Sequence, residues 1–70
     1  MKIKDLRKGD IITYQNGRIN YVNKPKNYYI WFDDNFYNKE LDVEIVKIQR
    51  YVKTLCFYRL KTIYERGKTK

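Results

Sequence analysis

Seventy residues with one cysteine, no histidine and a formal net charge of +8 exclude a good deal. The length suits one small domain near the lower limit for folding without metal, disulfide or partner. A single thiol rules out a disulfide within the chain, and the lack of histidine argues against a Cys/His metal site. No apolar run approaches a membrane span and the charged stretch 1–7 holds no signal-like apolar core, so a cytoplasmic protein with no membrane partner is expected.

Residues 1–8 read as an extended or turn-forming entry anchored by Leu6, with Ile3 beside it, and Gly9 supplies the positive φ for the bend into the first strand. Strands over 10–15 and 18–23 flank Asn16-Gly17, the strongest short hairpin signal, because a two-residue type I′ turn needs φ > 0 at both central positions. That loop pairs Tyr14 with Ile19 and Ile12 with Tyr21, and places these four on one face. Pro25 and the asparagines around it mark 23–27 as a loop. The run Tyr28, Tyr29, Ile30, Trp31, Phe32 reads as a third strand, its Tyr29/Trp31 face left for a contact surface. Asp33 and Asp34 lack the further oxygen ligands and glycine of a calcium loop and read as turn formers.

Segment 41–51 carries helical spacing at Leu41, Ile45, Ile48 and Val52, yet its β-branched residues favour strand. As a strand its apolar face changes phase at Ile45-Val46, which a β-bulge accomplishes. Segment 52–65 alternates Cys56, Tyr58, Leu60 and Tyr64 against Arg59 and Lys61, again a strand, with Cys56 a buried structural thiol. The expected architecture is a mainly β, SH3-like small barrel of about five antiparallel strands over 1–66, followed by a basic flexible tail at 67–70. A helix over 40–53 would instead make the fold α+β.

Charge is unevenly spread. Residues 1–29 hold seven bases and two acids, 30–49 two bases and five acids, and 50–70 seven bases and one acid. Meeting of the first and last strands would merge the two basic regions. A basic surface carrying tyrosines is suited to phosphates and bases together; it is also an ordinary solvated face. Without histidine, a general base near neutral pH would need a strongly shifted carboxylate or lysine, and no phosphate-cradling glycine loop is present. A non-enzyme with no catalytic residue, no cofactor and no metal is expected.

Leu6-Arg7-Lys8-Gly9-Asp10-Ile11-Ile12 followed by Asn16-Gly17 resembles the first hairpin of SH3-like barrels. The stretches 41–50 and 61–66 resemble short basic uncharacterised proteins of phages and mobile elements in low-GC Gram-positive bacteria. SH3-like barrels host many ligand classes, so the fold does not choose among them. The second resemblance implies a counter-defence or host-takeover factor in the cytoplasm of a bacterial host.

The leading reading is non-catalytic binding of an anionic nucleotide-class ligand, either nucleic acid or a small nucleotide signal. Arg18, Arg50, Arg59 and Lys61 are the candidate phosphate contacts, with Tyr29, Trp31, Tyr51 and Tyr58 for stacking. The alternative is a protein–protein inhibitor or adaptor acting on a host protein through the 28–32 aromatic surface. A homo-oligomer built on the Tyr29/Trp31 face is compatible with either.

Overall fold

Around Asn16-Gly17 the chain reverses as its turn chemistry demands, in a computed structural model that describes residues 1–67. Strand β1 (Ile11–Tyr14) pairs antiparallel with β2 (Ile19–Tyr21), matching Ile12 with Asn20 and Thr13 with Ile19. The register is one residue away from the expected one. Gly17 alone in the turn has positive φ, at 87°, and its N–H donates to the Tyr14 carbonyl at 3.0 Å. The loop is therefore the three-residue form, a turn closed by a left-handed glycine, rather than the two-residue type I′.

A one-residue slip turns every side chain of a strand to its other face. Ile12 and Tyr14 are buried, but Ile19 is 52% and Tyr21 70% exposed. Asn20 takes the inward place instead. The Tyr14 hydroxyl donates to Asn20 Oδ1 at 2.5 Å and accepts from buried Asn38 Nδ2 at 3.0 Å. That pair of bonds satisfies polar groups which would otherwise be costly to bury.

The third expected strand is a helix. Pro25 opens α1 (Pro25–Trp31), with Lys24 extended before it; proline at the first helical position forfeits no bond, since that N–H has no partner within the helix. Tyr28 and Phe32, four apart, both reach the core, and Tyr28 meets Trp31 and Phe32 edge-on at 5.2 Å in each case. The aromatic run is thus core by helical spacing rather than by strand alternation. After it, Asp33 Oδ1 accepts from the backbone N–H of Asn35 and Tyr37 at 2.9 and 3.2 Å, the turn-forming role expected of it.

The short β3 (Tyr37–Asn38) and the long β4 (Val43–Lys53) follow, then β5 (Tyr58–Glu65). Segment 41–51 is strand over most of its length, not helix. Thr13 pairs with Lys47 and Tyr14 with Ile45, so Val46 is the extra residue at the expected phase change. The bulge lets Ile45 and Ile48, three apart, both enter the core. A second irregularity lies between Ile48 and Gln49 in the pairing with β5.

The five strands are antiparallel throughout and curl into a half-barrel, with sheet order β2-β1-β4-β3 and β5 on β4. The expected mainly β, small-barrel-like class holds. Its core gathers Ile3, Leu6, Ile12, Tyr14, Val22, Tyr28, Phe32, Ile45 and Ile48, with Ile3 and Leu6 anchoring the entry as read from sequence. The tail expected at 67–70 lies, beyond Gly67, outside the described residues.

Candidate functional site

Strand β4 is the long spine of the sheet, and its two ends have different surroundings. Up to Gln49 it is flanked by β1; from Arg50 onward its one partner among the described residues is β5. The pairs Arg50–Lys61, Tyr51–Leu60, Val52–Arg59 and Lys53–Tyr58 therefore form a two-stranded arm. Thr54 closes its end, its Oγ1 donating to the Phe57 carbonyl at 2.6 Å. Directly paired residues share a face and neighbours alternate. Arg50, Val52, Arg59 and Lys61 consequently lie on one face of the arm, and Tyr51, Lys53, Tyr58 and Leu60 on the other.

Three of the four candidate phosphate contacts are thus brought together, and Arg18 is not. It follows the β1–β2 turn, beside Tyr14, whose partner Ile45 lies near the opposite end of β4. The first and last strands do not pair; β1 and β5 each pair with β4. The expected merging of the two basic regions along such a seam does not occur.

Within the arm's basic face the residues differ in freedom. Arg50 is held by an acid from β1's approach: its Nε and Nη2 donate to the two carboxylate oxygens of fully buried Asp10, both at 2.8 Å, and Nη2 also reaches the Asp5 carbonyl at 3.0 Å. Asp10 further accepts from the Arg7 N–H at 2.9 Å. The bidentate carboxylate raises the Arg50 pKa still further above its already high value, against the opposing effect of burial. Arg50 is an anchor of the arm's base more than a free cation. Arg59 and Lys61 are exposed and line an open groove with Val52, Thr54, Leu60 and Thr62.

Candidate stacking residues divide the same way. Tyr51 and Tyr58 are exposed on the arm, diagonal to each other across its aromatic face. Tyr29 and Trp31 sit on α1, half-buried against the core; the Tyr29 hydroxyl donates to the Leu6 carbonyl at 3.1 Å. Tyr28 and Phe32 are buried, so 28–32 offers no continuous aromatic surface. Cys56 is exposed in the β4–β5 turn rather than buried, because β4 ends before it and β5 begins after it. Strand alternation had no means of showing where the turn falls.

Sequence reasoning also missed the arm's tip. Leu55 is fully exposed and Phe57 is 65% exposed. The available signal was charge: residues 45–64 contain five bases and no acid, a composition that suits a solvated ribbon better than a buried strand. Among the described residues, no three His, Cys, Asp or Glu side chains group to hold a metal ion, and no helix is long and apolar enough to cross a membrane. Comparison with protein families, curated proteins and solved structures gives no match.

Proposed function

We propose that the protein binds an anionic nucleotide-class ligand, nucleic acid or a small nucleotide, without catalysing its conversion. One observation carries the reading. The β4–β5 arm, within an acid-free stretch of the sequence from 45 to 64, presents Arg59 and Lys61 on one exposed face and Tyr51 and Tyr58 on the other. Cations neutralise phosphates and aromatic rings stack on bases, and a nucleotide is the ligand class that asks for both. Arg50 supports this surface by fixing the arm's base through Asp10. Resemblance of 41–50 and 61–66 to phage and mobile-element proteins supports a counter-defence or host-takeover setting.

Native mass spectrometry of the full chain with a panel of oligonucleotides and mono-, di- and cyclic nucleotides tests the reading. Adducts of stoichiometric occupancy are expected from at least one of these ligand types. Absence of any nucleotide adduct, with capture of an acidic protein instead, would replace the proposal with a protein–protein inhibitor acting through the exposed apolar residues of the arm.

A further inference from the structure

Residues 55–62 are exposed without exception, and among the described residues no other strand lies against either edge of the ribbon from Arg50 to Lys61. A two-stranded ribbon bare on both faces is marginally stable in water. Here it also displays Leu55, Phe57, Tyr58 and Tyr51, apolar area that a free surface gains nothing by showing. The molecule measures 39 × 27 × 21 Å, an elongated outline in keeping with an arm that extends past the half-barrel. Its form selects among the ligands of the proposed class.

Resting on the nucleotide-binding reading above, we infer that the arm is a ribbon that enters the major groove of double-stranded DNA. Two strands about 4.8 Å apart, with side chains at either edge, match a groove about 12 Å wide that admits a two-stranded β-ribbon. The walls of that groove are phosphates, and its floor is base edges and thymine methyl groups. Because a duplex keeps its bases stacked on one another, the rings here pack on those edges and methyl groups instead of stacking on base faces. With the Tyr51/Tyr58/Leu60 face toward the floor, the long side chains of Arg59 and Lys61, both on β5, reach over that strand's edge to one wall, their stems lying along the ribbon. Lys53, next to the turn, meets a phosphate further along.

Other occupants fit less well. A mononucleotide would find the rings of Tyr51 and Tyr58 with one cation, Lys53, beside them, while the groove-lining Arg59 and Lys61 lie on the other face. A second copy would set one acid-free basic ribbon against another, and lysines at an edge oppose such pairing. A-form RNA has a major groove too narrow and deep for side chains to read. An acidic protein meets the charge but has no reason to present two anionic walls at this spacing.

The test is fluorescence anisotropy with the full chain over a range of salt, using a duplex of about 20 base pairs or two helical turns, its separate strands, and an RNA duplex of the same sequence. The DNA duplex is expected to bind tightest. Arg59→Ala and Lys61→Ala should each lower the slope of log affinity against log salt by about 1. Tyr58→Ser should weaken binding about fivefold, equivalent to ~1 kcal/mol, at an unchanged slope. Circular dichroism of each variant separates lost binding from lost folding. Equal or tighter binding of single strands or RNA duplex overturns the groove while leaving nucleotide binding intact, whereas folded cation variants that leave both affinity and slope unmoved overturn both. Binding of no nucleic acid and no nucleotide overturns both.

Discussion

Tyr14 shows how one hydroxyl can fix a core. Its ring is buried against Phe32, 6.5 Å away edge to face, and its O–H joins Asn20 on β2 to Asn38 on β3. Removing the oxygen strands the Asn38 amide in the interior, and an unsatisfied buried donor costs about 1–3 kcal/mol. Tyr14→Phe should therefore lower urea-unfolding stability by that amount despite conserving nearly all the volume; a change of a few tenths would show that water replaces the bond. Asp10 and Arg50 form the other polar contact that penetrates the core. Breaking a buried pair from one side costs about 3–5 kcal/mol, and the partly exposed guanidinium places Arg50→Ala at the lower end. Loss of ligand affinity from that variant with stability intact would make Arg50 a direct contact instead of an anchor.

At the scale of elements, what was legible depended on whether local chemistry had one reading. The bulge at Ile45-Val46 was legible because two apolar residues in succession on an alternating strand leave few options, and Val46 is the residue skipped. Asn16-Gly17 announced a turn but not its length: one left-handed glycine serves the three-residue loop as well as the two-residue one. The resulting slip exchanged Ile19 and Tyr21 for Asn20 on the inner face, which no hydrophobicity pattern would favour. In 28–32 the β propensity of aromatic residues concealed the helix that Pro25 starts, although Tyr28 and Phe32 lie at helical spacing. For the arm, membership of a strand was legible and isolation was not, since alternation does not show how many neighbours a strand has. Few contacts shield the arm, so its amides, 50–53 and 58–61, should exchange with solvent faster than those of β1 and the β4 residues paired with it. Equal protection would mean that the arm is packed, not free.

For the whole molecule, stability and charge are organised at different ends of β4. The core end carries tyrosines whose hydroxyls titrate above the usual value: burial raises Tyr14, Tyr28 and Tyr64, and Tyr37 is raised first by donating to Asp42. In the unfolded chain such hydroxyls lose their protons near 10, while the folded protein holds them longer. Their stabilising contribution is complete below that pH and is lost as pH rises through the higher folded values. Alkaline unfolding should set in above pH ~10, and Tyr14→Phe should reduce the steepness of the decline; stability flat through this range would contradict the burial assigned to these rings. The arm end is distinct in composition. Residues 45–64 hold no acid, and at the arm's root Arg50 is paired with Asp10 and also feels Asp5, so further out the positive charge is carried by Lys53, Arg59 and Lys61.

The most direct measurement of the central claim is the salt dependence of oligonucleotide binding by the wild type and by the Arg59→Ala/Lys61→Ala double variant. Both substitutions lie on an exposed face, so the fold is expected to survive them. If these side chains neutralise phosphates, the double variant binds more weakly at every salt concentration and its log–log slope is shallower by about 2. An identical affinity and slope in a folded double variant would remove the arm from the binding surface and with it the nucleotide reading built on the arm.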